Sequence, residues 1–323
     1  MESLTLQSHL PPDFLADALR SDVSAGLTGS PKALPPKWFY DERGSVLFEQ
    51  ITRLAEYYPT RAEREILTAR AADVASITGA VTMVELGSGS GDKTRLLIQA
   101  LRAVGTLRTY VPMDVSPSAL LESGRLLVRD HPGLLVRAVM ADFEHQLGVL
   151  PVGERRLTAF LGGTIGNLEP EPRAAFLADL RASTAEGDWL LLGTDLVKDP
   201  AVLVAAYDDA KGITGRFNKN VLDVVNRELG ADFDRDAFEH VALWDPAAEW
   251  IEMRLRSTRD HKVRVDALDL IVPFAAGEEM RTEVSAKFRP EGIRAELATA
   301  GFAVRESWTD EAGRFLLTLS EAR

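Results

Sequence analysis

The chain has 323 residues, of which 46% are hydrophobic and none is cysteine, and 49 acidic side chains against 37 basic give it a net charge of −12. The length suits one large or two modest domains. The missing cysteines exclude disulfides, thiolate nucleophiles and cysteine-based metal sites, and the acidic balance argues against a nucleic-acid partner.

No run of about 18 apolar residues is present, so no membrane span is expected. The N-terminus MESLTLQSHLPPDF lacks the basic and apolar segments of a signal peptide, and a cytoplasmic location is the simplest expectation. In chain order, the stretch PPKWFYDERGSVLFEQ at 35–50 has a composition of its own. From about residue 80 to 197, short apolar runs alternate with helical patterns, which predicts βαβ units and a parallel sheet. A strand over Val81–Leu86 runs into a Gly-rich turn, Glu85-Leu86-Gly87-Ser88-Gly89-Ser90-Gly91, and a helix follows from Lys93 to Val104. A second strand, Thr109–Met113, ends at Asp114. Ser116 and Pro117 then read as the N-cap and first residue of a helix. The third strand, Leu134–Met140, closes on Asp142-Phe143, the fourth covers Leu157–Leu161 and the fifth Trp189–Gly193.

The segment from Pro200 to Lys287 breaks this rhythm. It predicts helices over Asn218–Leu229 and Asp234–Ala242, then strands over Glu249–Arg256, Lys262–Val265 and Leu268–Phe274. A helix over Pro290–Ala300 and two strands, Phe302–Trp308 and Arg314–Leu319, complete the chain, and the short turn between the strands makes them antiparallel. The expected fold class is α/β, a Rossmann-like sheet with a terminal antiparallel hairpin plus a smaller α+β domain. Residues 61–199 and 287–323 would form the larger domain, and residues 1–60 and 200–286 the smaller, substrate-binding one.

Glycine at a strand-to-helix junction lets a ligand approach the main chain closely. A dinucleotide needs G-x-G-x-x-G with its pyrophosphate on the helix N-terminus, but the last glycine position here is Asp92, an anion. S-adenosylmethionine carries no phosphate, and Lys93 can pair with its carboxylate. Asp114 can accept both ribose hydroxyls, Asp142 can accept from the adenine amino group, and Phe143 can stack on the base. After the fourth strand, Gly162-Gly163-Thr164-Ile165-Gly166-Asn167-Leu168 sets Asn167 at the carboxyl edge of the sheet, where a methyl acceptor belongs.

Several longer stretches resemble the histidine Nα-methyltransferases, which form hercynine in ergothioneine biosynthesis. They are Pro35–Asp41, Glu56–Arg61, Thr164–Leu168, Gly193–Asp199, Phe217–Leu222 and Gly277–Ser285. The resemblance runs from about residue 20 to the end. It implies an enzyme that uses S-adenosylmethionine, without a metal, to methylate the α-amine of L-histidine through its mono- and dimethylated intermediates, acting as a monomer. Gly87, Lys93, Asp114, Asp142 and Phe143 would hold the cofactor. Tyr57, Asn167 and Tyr207 would hold the carboxylate and amine of the substrate. Glu283 and Ser285 would read the imidazole, Tyr40 and Met253 would line the pocket, and Asn167, Tyr40 and Tyr57 would be the catalytic set. Gly163 and Arg254 replace a serine and a tryptophan of the family pattern beside two of these ligands.

The residue chemistry agrees with that reaction. Methyl transfer from a sulfonium to an amine is an in-line displacement, so positioning is a large share of catalysis. The amine must be neutral, and tyrosine hydroxyls and an amide can orient it and relay its protons to water. Three alternatives stay open at this point: a methyltransferase of this fold with another small amine or a protein side chain as acceptor, a non-catalytic binding module, and a nicotinamide oxidoreductase. The intact Asp114, Asp142 and Asn167 argue against the second, and Asp92 and the terminal hairpin against the third.

Overall fold

The computed structural model describes residues 3–88, 93–151 and 154–323. In chain order the elements are β1 (Leu4–Ser8), α1 (Phe14–Thr28), α2 (Glu42–Ile51), α3 (Pro59–Thr78), β2 (Thr82–Leu86), α4 (Thr94–Val104), β3 (Thr109–Asp114), α5 (Pro117–Asp130), β4 (Leu135–Met140), β5 (Arg156–Phe160), α6 (Pro170–Ala182) and β6 (Trp189–Asp195). They continue with α7 (Pro200–Tyr207), α8 (Ile213–Leu229), β7 (Phe238–Asp245), β8 (Trp250–Ser257), β9 (His261–Val265), β10 (Leu270–Phe274), β11 (Glu279–Ala286), α9 (Pro290–Thr299), β12 (Phe302–Thr309) and β13 (Phe315–Ala322). None of the described helices is long and apolar enough to cross a membrane.

Two compact units emerge. The first comprises Met1–Pro11, Pro59–Leu196 and Phe288–Arg323, and the second Pro12–Tyr58 and Val197–Lys287. The first unit holds an eight-stranded sheet in the order β1-β4-β3-β2-β5-β6-β13-β12. Strands β1 to β6 pair in parallel, while β13 runs antiparallel to both β6 and β12. Strand β2 is buried along its whole length, Glu85 included, as a strand covered on both faces must be. Helix α4 buries Leu97, Ile98 and Leu101 at helical spacing and ends on Gly105 in the left-handed conformation. Ser116 caps α5 with Pro117 in its first turn, as its sequence predicts.

Two expectations are corrected here. Residues 3–11 do not join the smaller domain, because Leu4–Ser8 adds a sixth parallel strand at the sheet edge, paired with β4. The unit boundaries accordingly fall after residues 11, 58, 196 and 287. Asp234–Ala242 is not a helix. A single 3-10 turn at Arg235–Ala237 leads into β7, which pairs with β8 from Phe238↔Ser257 to Asp245↔Trp250. The ladder satisfies those backbone groups and overrides local helix propensity.

The second unit is built on a three-stranded antiparallel sheet, β11-β8-β7, with a separate β9–β10 hairpin. Helix α8 lays Phe217, Val221, Val224 and Val225 into its own core, with Phe39, Ile251, Met253, Leu255 and Phe274. Within β11 the register slips between Arg281 and Glu283, a bulge that has one large effect. Directly paired residues of an antiparallel ladder share a face. Arg281 opposes Arg254, yet Glu283 opposes Met253. Thr282 takes up the extra position, so Glu283 and Ser285 stand on the face of the buried Met253 and Ile251 while Arg281 and Arg254 stand on the other.

Candidate active site

In the first unit, strand order reverses between β2 and β5, and ligands of open α/β sheets bind beyond the carboxyl ends of the strands at such a point. Backbone hydrogen bonds knit the strand ends there. The Gly87 N–H donates to the Met113 carbonyl at 2.9 Å, and the Ala141 N–H donates to the Asp114 carbonyl at 3.2 Å. Gly87 (φ 67°) is in the left-handed region, and a Cβ there would lie 3.5 Å from the Phe143 ring. Gly87, Asp114, Asp142 and Phe143 are thus brought to neighbouring positions. One oxygen of Asp114 accepts from the Ser116 N–H at 3.0 Å, and one of Asp142 from the Glu144 N–H at 2.9 Å. The Phe143 ring is held edge-to-face by Phe160 and Phe176, with centroids 5.4 and 6.2 Å away. Beside Gly87, the buried Ser88 hydroxyl has no hydrogen-bond partner among the described residues, which invites a ligand or a water. Gly89 to Asp92 lie outside the described residues, and with them the expectation placed on Asp92.

Lys93 is engaged by a residue that sequence reading did not anticipate. Its amino group pairs with Glu63, whose side chain is completely buried at the start of α3. The same carboxylate accepts the Gly162 N–H through both oxygens, at 2.8 and 3.0 Å. Gly193 makes room for it, since a Cβ there would collide with Glu63 Oε1. Glu63 therefore ties the start of α4 to the loop that carries Asn167. It also balances the Lys93 charge, which leaves the cradle unsuited to a pyrophosphate and suited to a nucleoside with a zwitterionic tail. The sequence signal was a charge on the apolar stripe of α3, next to Ala62 and before Ile66 and Leu67. Gly163 is left-handed (φ 72°, ψ 13°) and opens the 3-10 turn Thr164–Asn167 that sets the half-buried Asn167.

Behind the cradle, Glu85 is buried and accepts from the hydroxyls of Thr94 and Tyr110. Desolvation raises its pKa to about 7 against the pull of those hydrogen bonds and of Lys93. The Tyr110 hydroxyl is pushed well above its ordinary value by burial and by Glu85.

In the second unit, Tyr40, Tyr57, Tyr207 and Glu283 come within electrostatic reach of one another. Tyr40 is 49% exposed as a residue. Its phenol is nonetheless held well above the ordinary tyrosine value, first by desolvation and then by the charge of Glu283 and by Tyr57 and Tyr207. Aromatic rings line up around it: Tyr40 stands edge-on to Phe48 (5.4 Å) and Phe217 (5.3 Å), Phe48 to Tyr57 (6.1 Å), and Tyr57 to Tyr207 (6.4 Å). Tyr207 and Ser285 share a hydrogen bond of 2.7 Å. Lys287 completes a triangle that sequence reading missed: its amino group donates to the Ser285 hydroxyl at 2.7 Å and to the Tyr207 hydroxyl at 3.0 Å.

The bulge that aims Glu283 is pinned by side chains. The Thr282 hydroxyl donates to Asn218 Oδ1 (2.6 Å), with the Met253 carbonyl at 3.0 Å sharing the proton. Asn218 Nδ2 reaches His240 Nδ1 (2.8 Å) and the Arg254 carbonyl (3.1 Å). His240 Nε2 lies 2.8 Å from the Tyr207 carbonyl, so that nitrogen carries the proton and Nδ1 accepts. Burial lowers the pKa of His240 and keeps the ring neutral. Arg254 stands on the opposite face of β8 from Met253, paired with Glu252 and Glu279, so its departure from the family pattern points away from Glu283.

The run β4-β3-β2-β5-β6-β13-β12, with β13 antiparallel and the ligand cradle at the ends of β2, β3 and β4, is the sheet of a Rossmann-like methyltransferase. The model of a family described as histidine-specific, S-adenosylmethionine-dependent methyltransferases matches residues 19–322, and the chain belongs to that family. Histidine N-alpha-methyltransferase of Mycolicibacterium smegmatis is 57% identical over 318 residues, covering 98% of this chain and 99% of that one. The enzyme of the same name from Mycobacterium tuberculosis is 58% identical over 317 residues, covering 98% and 99%. Ergothioneine biosynthesis protein 1 of Neurospora crassa is 29% identical over 311 residues, 90% of this chain and 33% of its own length.

Proposed function

We propose that this chain methylates the α-amino nitrogen of L-histidine three times, from S-adenosylmethionine, to give Nα,Nα,Nα-trimethylhistidine (hercynine), the opening step of ergothioneine biosynthesis. The observation that carries this reading is similarity along nearly the whole chain to two enzymes named for that activity. When bound, S-adenosylmethionine supplies a methyl group made electrophilic by its sulfonium. Asp114 would take its ribose, Asp142 and Phe143 its adenine, and Gly87 and Lys93 its amino-acid end, Lys93 being steadied by Glu63.

The chain's own residues have to present a neutral amine. A free α-amine is largely protonated at neutral pH, so substrate binding must release a proton before each transfer. Tyr40 keeps its proton across the physiological range, because its pKa is raised. Tyr40 serves as wall and donor. Asn167 offers an amide oxygen to the amine, while Tyr57 and Tyr207 take the carboxylate and pass protons toward water. The rings of Tyr40, Phe48 and Tyr57 suit an ammonium that gains methyl groups. Glu283 accepts from the imidazole N–H, and Ser285 donates to its other nitrogen. The series ends by itself, because a quaternary nitrogen has no proton to lose.

Mass spectra of a time course with histidine and S-adenosylmethionine test this. The expected result is successive mono-, di- and trimethylated histidine, at a rate that rises with pH until the substrate amine is neutral. Products that stop at one methyl, or carry it on the imidazole, would contradict the assignment.

A further inference from the structure

We infer that Asn218 is a positioning residue for specificity: from helix α8 it grips the bulge of β11 and so aims Glu283, the ring-reading carboxylate of the proposed histidine site, on which this inference rests. Asn218 belongs to the Phe217–Leu222 stretch, in which Phe217, Val221 and Leu222 fill the core and Asn220 holds the Phe39 carbonyl and Asp41. Asn218 is fully buried as well, and a buried amide is costly unless hydrogen bonds satisfy it. Of its three side-chain hydrogen bonds, two end at the bulge. One is to Thr282, the bulged residue itself, and one to the carbonyl of Arg254, which opposes the residue before the bulge. One turn earlier on α8, Gly215 allows the close approach, since a Cβ there would lie 3.3 Å from His240 Cβ.

The neighbours of Asn218 fix which way its amide faces. His240 gives its Nε2 proton to the Tyr207 carbonyl, so Nδ1 accepts one Asn218 N–H. The Arg254 carbonyl accepts the other, which turns the amide oxygen to the Thr282 hydroxyl. The amide is thus held from β7 and β8, and Thr282 on β11 is held by the amide. Before the bulge, Arg281 opposes Arg254 and is also bound through its backbone to Lys32 and Leu34. From Glu283 on, the pairing resumes at Met253. Thr282 stands outside that pairing, at the place where a bulge bends a strand and re-aims its side chains. Glu283 is the next residue, so the angle of the chain at Thr282 sets where its carboxylate points. Alanine at 218 would take a donor from His240 and from the Arg254 carbonyl, and an acceptor from Thr282. Asn218 therefore acts on the substrate ring through Glu283.

The test is a double-mutant cycle with Glu283→Ala, read as kcat/KM for histidine and for phenylalanine, with S-adenosylhomocysteine affinity as the control. Asn218→Ala is expected to lower kcat/KM for histidine about 10-fold, as small misplacements of a positioning group do, and to leave S-adenosylhomocysteine affinity unchanged. The value for phenylalanine should not fall in step, so the ratio of histidine to phenylalanine drops. A core that is merely loosened would lower both alike and overturn the inference. In the Glu283→Ala background, Asn218→Ala should cost little more. Thr282→Val, which exchanges only the hydroxyl for a methyl group, should reproduce the drop in the ratio, and Thr282→Ser, which keeps the hydroxyl, should stay near wild type. If Asn218→Ala does not fold, Thr282→Val carries the cycle. A wild-type ratio in these variants, with Glu283→Ala impaired, overturns the inference and spares the site. Losses that simply multiply in the double variant overturn it as well. An unchanged preference for histidine in Glu283→Ala removes the proposed ring-reading site and the inference with it.

Discussion

In the first unit the polar groups stand where strands stop. Gly87 follows β2, Asp114 ends β3, Asp142 follows β4, and Gly162 follows β5. Parallel strands share one direction, so residues that follow successive strands in sequence become neighbours in space. In the second unit the corresponding groups come from a strand face, a helix end and isolated turns: Glu283 and Ser285 on β11, Met253 on β8, Tyr207 at the end of α7, and Tyr40 and Tyr57 in connecting segments. No single direction gathers them, and they meet only because a core has formed beneath. A parallel sheet makes a site by its topology, whereas this antiparallel sheet needs a bulge and a buried polar network to aim its side chains.

If the two sites divide the work as proposed, each should be breakable alone. Glu283→Ala is expected to have the largest effect, a loss of roughly 100-fold in kcat/KM for histidine, the upper end for removal of a hydrogen bond to a charged group. Cofactor affinity should stay within about twofold. The same variant should relax the bias against phenylalanine and tryptophan, because an apolar ring no longer faces a carboxylate to which it can donate no hydrogen bond. Measured kcat/KM for the three amino acids decides this, and an unchanged preference for histidine over tryptophan would move ring reading elsewhere. Asp114→Ala is the mirror experiment. Loss of a carboxylate that accepts ribose hydroxyls should weaken S-adenosylmethionine about 10- to 100-fold, from roughly 1.5–3 kcal/mol per charged hydrogen bond. Calorimetry reads it directly, and unchanged affinity would mean that the ribose sits at another strand end.

The contrast extends to what could be read beforehand. That Gly87, Asp114, Asp142 and Phe143 gather in the first unit was legible because each stands just beyond an apolar run, with strand and turn in one short window. Glu63 was not, since its partners lie 30 and 99 residues away. In the second unit, Tyr207, Glu283 and Ser285 were singled out only through resemblance to a family. Lys287 escaped even that, because its meaning depends on a triangle closed across a folded core. Strand β1 was missed because five residues at a sheet edge, mostly exposed, carry little apolar pattern. The 234–242 segment misled because its helix-compatible composition is outweighed by pairing with β8.

The smallest expected effect concerns stability and sharpens the contrast from the other side, since the first unit stores a titratable carboxylate beneath its cradle. Glu85 binds its proton more tightly folded than unfolded, with a folded pKa of about 7 against 4.5. Stability should therefore fall as pH rises from about 4.5 through 7 and level off above, because the folded state holds the extra proton in that window. Glu85→Gln removes this slope and keeps an acceptor for one of the two hydroxyls, Thr94 or Tyr110, while the other meets the amide N–H. Relative to wild type it should gain on the order of 1–2 kcal/mol between pH 5 and pH 8, less than the full burial penalty because the amide brings a spare N–H. Unfolding midpoints of both proteins at the two pH values check it, and a constant difference would show that Lys93 and the hydroxyls already offset the charge.

The place of β13, between β6 and β12, bears on how the protein is made. During synthesis β6 emerges with Leu190, Leu191 and Leu192 ready to be buried, but the strand that covers its open edge is Phe315–Ala322. The ribosome must first deliver most of the second unit, α9 and β12. At roughly 5–20 residues per second, that edge stays unpaired for on the order of ten seconds on every nascent chain. An apolar strand edge left open so long is a template for pairing with another chain. Yield in a cell should therefore depend on translation speed over this stretch and on chaperone supply, in a way that the stability of the finished enzyme does not reveal.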